Sequence, residues 1–284
     1  MRKLAFVVVV GCLVLSPGVV AQEDPSAEDL IEKMTVSFES EKPMLTLSDR
    51  VLLYGGKELN QDLWEVWSRG KGTFRAEKGD GTLVIRTEER IDIYVPSANA
   101  ALTIPKEAID EVGDGLSEWL NAIGIELPGA SLAPLRAIED EWVVPDEAAL
   151  ALIEADWPAS DADEFGEECW VLTLSPDGLA ALDEARKKPG GKDDGVTTET
   201  ARIAIGKETS YWRGVYLTMS HPEKPGGPWH VDARVPTIAA GIEIEDESFT
   251  WEAPEGVKVV TWTPGSGKKA FGEFLAAMKG ARQK

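Results

Sequence analysis

The sequence predicts an α+β protein, mainly β, in which one face of a large antiparallel sheet is covered by helices and the other is solvated. Three observations predict it. Short runs of period-two hydrophobicity, bounded by turn residues, fill residues 43–105 and 169–260. Between them, at about 105–168, the periodicity becomes helical. The strands also alternate apolar with polar residues, whereas parallel strands buried under crossover helices read as continuous apolar runs.

The chain opens with Arg2 and Lys3, an apolar stretch from Leu4 to Leu15, a Ser16-Pro17-Gly18 break, and Val19-Val20-Ala21. This order of charge, apolar run and small residues is that of a cleavable export signal, with cleavage after Ala21. The run is too short for a permanent spanning helix. Val9-Val10-Gly11-Cys12 loosely resembles a lipobox, but that reading strands Leu13-Val14-Leu15 on the mature protein. Secretion is the expectation.

After a polar lead-in at 22–26, Ser26 and Asp29 form a capping pair, and Ala27, Leu30, Ile31 and Met34 recur at helical spacing. Leu45, Leu47, Val51 and Leu53 lead to a Gly55-Gly56 turn. The next strand, Leu63 to Ser68, puts Trp64 and Val66 on one face. Phe74 lies in another extended piece, and Gly79-Asp80-Gly81 turns the chain into Leu83 and Ile85. Ile91, Ile93 and Val95 follow, then Pro96-Ser97-Ala98-Asn99, then Leu102 and Ile104. These runs read as an antiparallel meander.

Ile109, Val112, Leu116, Trp119, Leu120 and Ile123 form one helical stripe. A second helix follows Pro145, and 156–168 reads as an exposed acidic loop. Trp170, Leu172 and Leu174 return to strand, and Ser175-Pro176 opens a short helix. Ile203 and Ile205, then Val215, Leu217 and Met219, then Val231 and Val235, and then Ile242 to Phe249 read as further strands. A final amphipathic helix, Phe271 to Met278, reads as a loosely docked tail. The expected division is a signal at 1–21, one domain at 22–262 with a helical insertion at about 105–168, and a helical tail at 263–284.

Composition limits what such a chain can bind. Its net charge is −21, and losing Arg2 and Lys3 with the signal takes it from −21 to −23. That surface repels phosphate backbones and anionic headgroups, so neither nucleic acid nor electrostatic membrane binding is expected. Of two cysteines, Cys12 leaves with the signal, and Cys169 alone cannot form an intrachain disulfide. Stability must therefore come from burial.

At this point the residues resemble the LolA/LolB-type outer-membrane lipoprotein-sorting family, across about 27–260. The resemblance rests on Tyr94-Val95-Pro96 leading into Leu102-Thr103-Ile104, on Trp170-Val171-Leu172-Thr173-Leu174-Ser175-Pro176, on the strand pair in 201–219, and on Phe249 followed by Pro254-Glu255-Gly256-Val257-Lys258-Val259-Val260. It implies an unclosed antiparallel β half-barrel whose concave apolar face, under a helical lid, holds acyl chains without catalysis. It also implies, as the alternative, an envelope sensor binding a regulatory protein. The chain departs from that pattern in the long 105–168 insertion, the extra C-terminal helix, and Ala76 where an aromatic is usual.

Nothing in the sequence assembles a catalytic or cofactor site. His221 and His230 flank Pro225-Gly226-Gly227-Pro228 as loop histidines without a third ligand. Cys169 reads as a buried structural thiol. Asp161, Asp163 and Gly166 imitate a calcium loop, but Phe165 and Leu172 occupy positions that need oxygen. No metal, cofactor or catalytic residue is expected. The expected partner is an apolar ligand such as a lipid or lipoprotein acyl chain, or an envelope protein. Its candidate contacts are Leu83, Ile85, Ile91, Ile93, Leu102, Ile104, Trp170, Leu172, Leu174, Ile203, Ile205, Leu217 and Met219 from the sheet. Ile109, Val112, Leu116 and Trp119 would contribute from the lid.

Overall fold

The structure is a computed structural model, and it describes residues 25–39, 43–70, 72–112, 119–121, 123–127, 138–157, 165–186, 195–222 and 227–281. The export signal, the lipobox-like segment, Leu116 and most of the acidic 156–168 loop lie outside these residues.

Helix α1 (Ala27–Glu39) begins at the expected cap: Ser26 Oγ accepts the Asp29 N–H at 3.1 Å, and Asp29 Oδ2 accepts the Ser26 N–H at 3.2 Å. The chain then runs through β1 (Pro43–Tyr54), β2 (Lys57–Arg69), β3 (Phe74–Lys78), β4 (Leu83–Arg86), β5 (Arg90–Val95) and β6 (Ala100–Pro105). Each turn uses the residues that favour one: Gly55 and Gly56 both take positive φ, and Asn99 takes the left-handed conformation after Pro96. Helix α2 (Lys106–Val112), β7 (Trp142–Val143) and α3 (Glu147–Asp156) follow, the last capped by Asp146. The second half comprises β8 (Cys169–Leu174), α4 (Pro176–Arg186), β9 (Thr197–Gly206), β10 (Trp212–Ser220), β11 (Trp229–Ala240), β12 (Lys258–Thr261) and α5 (Gly267–Ala281).

Among the described residues, the strands form one twelve-stranded sheet in the order β12-β6-β5-β4-β3-β2-β1-β11-β10-β9-β8-β7. Two antiparallel meanders, β1 to β6 and β7 to β11, are joined where β1 pairs with β11. The two ends of the order, β12 and β7, do not pair with each other, so the sheet is an unclosed half-barrel with helices. It is mixed rather than wholly antiparallel, because β12 returns to lie parallel to β6.

Cross-strand register assigns the faces. Val84 opposes Ile93, which opposes Leu102, while across the sheet Leu172 opposes Ile203, which opposes Val215. These residues share the inner face, which helices cover in two separate places. Helices α2 and α5, with Trp119, Leu120, Ile123 and Ile125, pack over β3 to β6 and β12. Helices α1 and α4 pack over β7 to β11. On the outer face, Ile153 of α3 and its C-cap residue Trp157 pack with Phe165 on Val171 and Ala204, and residues 242–251 strap across Leu83 and Ile85.

Several sequence expectations are corrected. The segment 242–249 is not a strand. Ile244 and Phe249 are buried as pegs of the outer strap, and a short 3-10 turn occupies Asp246–Phe249. The C-terminal helix is not loosely docked. Ala270, Phe274 and Met278 at i, i+4 and i+8 are buried in the same core as Ile93 and Leu102. The stripe from Ile109 to Ile123 does not stay helical to its end: Ile123 and Gly124 lie in a turn closed by the Ile125 N–H on the Leu120 carbonyl. Phe165 and Glu167, read as part of an exposed loop, are buried, Glu167 against Arg213. His230 is not a loop residue: it lies in β11, with Nδ1 2.9 Å from the Tyr216 hydroxyl.

Candidate functional site

The centre of the inner face, where β1, β2 and β11 run, lies between the two helix-covered regions. A cavity of about 230 Å³ opens there. Strand β1 lines it with Met44, Thr46 and Ser48, and β2 with Val66 and Ser68. Phe74 and Ala76 come from β3, Tyr211 and Trp212 from the start of β10, and Val235 and Ile238 from β11. Leu127, at the end of the segment that leaves the α2 side, completes the wall.

The register explains why these side chains meet. Met44 opposes Ser68, Thr46 opposes both Val66 and Ile238, and Ser68 opposes Phe74. Residues directly opposite on paired antiparallel strands project from the same face. Between Leu47 and Asp49 the β1–β11 ladder shifts by one residue, placing Val235 and Ile238 rather than strictly alternate positions on this wall. The lining is apolar except for three small hydroxyls and the Tyr211 phenol. Such a wall can exclude water from a hydrocarbon group and offer hydrogen bonds to an ester or carbonyl. Among the described residues, its lining includes no carboxylate, imidazole, amine or thiol.

Charge begins at one end of the cavity. Two residues beyond Ser48, Arg50 opposes Asp62 on the same face. Arg50 pairs with Glu126, its Nη2 lies 3.8 Å from Asp62, and Lys78 Nζ lies 2.5 Å from the other Asp62 oxygen. Past Arg50, the face becomes apolar again at Leu52, Tyr54, Leu59 and Trp229, where a second, more open hollow lies at the tip of the β1–β2 hairpin.

No family model and no curated protein sequence matches the chain. Among solved structures, it is similar to MucB in complex with MucA(peri), at 11% identity and a TM-score of 0.40, over 80% of this chain and 60% of that one. An uncharacterized conserved protein from Thermus thermophilus is similar at 12% identity and a TM-score of 0.39, over 83% of this chain and 99% of that one. A LolA superfamily protein from Nitrosomonas europaea is similar at 10% identity and a TM-score of 0.33, over 80% of this chain and 99% of that one.

The residues expected at the site are placed differently. Ile91, Ile93, Leu102, Ile104, Ile109, Val112 and Trp119 fill the core under α2 and α5. The space left among Ile93, Leu102, Val112 and Trp119 is about 10 Å³, at the lower limit for one water. Trp170, Leu172, Leu174, Ile203, Ile205 and Leu217 fill the core under α1 and α4. Met219 lies further along β10, opposite Trp229. Leu83 and Ile85 are on the outer face, because the register opposes them to Tyr94 and Asp92. None of these residues lines the cavity. Sequence reasoning favoured the most apolar positions, and those are the ones the helices seal. The lining was marked only by a weaker signal, small hydroxyls alternating with apolar residues at Met44, Thr46 and Ser48.

Cys169 is buried beside Val171 and Phe165, with Sγ 3.8 Å from the Glu167 carbonyl oxygen. Among the described residues, no three of His, Cys, Asp and Glu are grouped to hold a metal ion, and no helix is long and apolar enough to cross a membrane.

Proposed function

We propose that this chain is an exported, non-catalytic binding protein that holds an apolar group, such as an acyl chain of a lipid or lipoprotein, on the inner face of its sheet. The observation that carries this reading is the cavity bounded by Val66, Phe74, Leu127, Trp212 and Ile238, at the one stretch of inner face between the two helical covers. Binding there works by desolvation, at about 0.8 kcal/mol for each methylene removed from water. The inner-face core residues under the two helical covers, Ile93 and Leu102 on one side and Leu172 and Ile203 on the other, then act as scaffold beside the cavity rather than as ligand contacts.

The test is native mass spectrometry of the protein purified from its own envelope. A retained acyl compound is expected, with occupancy falling sharply in a Val66→Trp variant that fills the cavity. Wild-type protein that carries no apolar compound and takes up none on incubation with lipid would remove the basis of the reading.

A second reading has its own observation. Leu59, 60% exposed, stands with Leu52, Tyr54 and Trp229 as an apolar patch at the hairpin tip. Exposed apolar patches of this kind mark protein contacts. An envelope partner would dock there, and a Leu59→Asp variant would lose it while still binding lipid.

A further inference from the structure

Resting on the reading of an apolar cavity, we infer that its ligand is a single-chain amphiphile with a carboxylate head, and that Arg50 is the head-group site. Three placements support this. Arg50 is two residues along β1 from Ser48, on the same face, so it continues the strand that walls the cavity. Its partner Glu126 is the neighbour of Leu127, which lines the cavity. Both members of the ion pair therefore sit at the boundary where the apolar lining stops.

The chemistry of the pair selects the head group. Glu126 pairs with Arg50 through its carboxylate, and its side chain is 49% exposed. A ligand carboxylate arriving from the cavity side exchanges like for like at the same guanidinium, whose planar donors match carboxylate geometry. Releasing Glu126 to water costs little, because half-exposed ion pairs contribute little net stability. The neighbouring charges do not consume Arg50: Asp62 is paired more closely by Lys78, at 2.5 Å, than by Arg50, at 3.8 Å. With Glu126 displaced, Lys78 is shared between Asp62 at 2.5 Å and Asp80 at 4.0 Å while Arg50 keeps Asp62 only at 3.8 Å, so the guanidinium is a positive charge without a close counter-ion in an otherwise strongly acidic protein. That local sign favours an anionic head over a neutral or cationic one.

The experiment compares dodecanoate with 1-dodecanol in displacing an apolar fluorescent dye from the full mature chain. Dodecanoate is expected to bind roughly tenfold more tightly than the alcohol, the ratio a single charge-assisted contact supplies. In Arg50→Gln the acid loses that advantage. In Glu126→Gln, which removes the competing carboxylate and leaves Arg50 in place, the acid gains affinity and the alcohol does not. Equal binding of acid and alcohol to wild type, or a Glu126→Gln variant with unchanged preference, overturns the head-group site while leaving the apolar cavity intact. Failure of dye, acid and alcohol alike to bind defeats the cavity reading as well.

Discussion

Glu167 and Arg213 form an ion pair inside the protein, with side chains 3% and 5% exposed. Arg213 Nε donates to Glu167 Oε1 at 2.8 Å. The same carboxylate accepts the Thr209 hydroxyl at 2.6 Å and the backbone N–H groups of Glu208 and Thr209 at 2.8 and 3.0 Å. Burial alone pushes this acid up, but the hydrogen bonds from Thr209, Arg213 and Glu208 outweigh it and hold the group below its ordinary 4.5. The pair ties the segment after Phe165 to the start of β10, and so fixes Tyr211 and Trp212, which wall the cavity.

The pH dependence follows from that direction. A depressed carboxylate contributes stability that is present above its unfolded-state value and is lost as pH falls through its folded one. Glu167→Gln leaves a buried guanidinium without its counter-charge and is expected to cost about 3–5 kcal/mol at neutral pH. In acid the difference from wild type narrows. Urea unfolding at pH 7 and pH 4 measures both, and a constant difference would show that Glu167 carries no such linkage.

Gly206 is coupled to the same carboxylate. A Cβ at this position would clash with the Glu167 head, which its hydrogen bonds hold in place. Gly206→Ala is therefore expected to destabilise wild type by more than about 1 kcal/mol, and to add much less in a Glu167→Ala background, where the head group it would strike is gone. A double-mutant cycle reads that coupling, and additive effects would contradict it.

Phe274 is fully buried between α5 and the inner face. Phe274→Ala is expected to cost about 3–5 kcal/mol. Truncation after Trp262 should lose cooperative unfolding, since it removes Phe274, Met278 and Ala270 from one core. A truncated chain that melts like the full one would restore the loosely docked tail.

Hydrogen exchange separates cover from gate. The amides of Lys106–Val112 belong to a packed core and should exchange slowly with or without ligand. Those of Ile125 to Leu127 border the cavity and should slow when an apolar ligand is added. Trp119, which packs on Trp262 and Phe271 at 5.1 and 4.5 Å, should behave as core: Trp119→Ala is expected to cost about 3–5 kcal/mol and leave the protection change at Leu127 intact.

Export predicts a mature chain that begins at Gln22 and lacks Cys12. Intact-mass measurement of protein made in a host with a signal peptidase tests this directly. A diacylated Cys12 would instead make it an anchored lipoprotein.

The strands were legible because their signals are local. Asn99 at a left-handed turn, Ser26 and Asp29 at a helix start, and the alternation at Ile91, Ile93 and Val95 each need only neighbouring residues to act. Where both faces are apolar, that signal fails. Leu83-Val84-Ile85 reads equally well in either orientation, and pairing with β5 together with the strap at Ile244 and Phe249 decided that Leu83 and Ile85 face outward. The strap itself was misread because Ile242 and Ile244 alternate like a strand yet find no partner there.

The sequence by itself determined the class, the meanders and the helix caps. Only the tertiary structure decided where the inner face stays open. Helices α1, α2, α4 and α5 cover the most apolar strands, because burying those contributes most, and the less apolar centre of β1, β2 and β11 is left between them. A cavity is the space that packing does not fill, so it depends on the relative positions of elements far apart in the chain and has no period of its own to read.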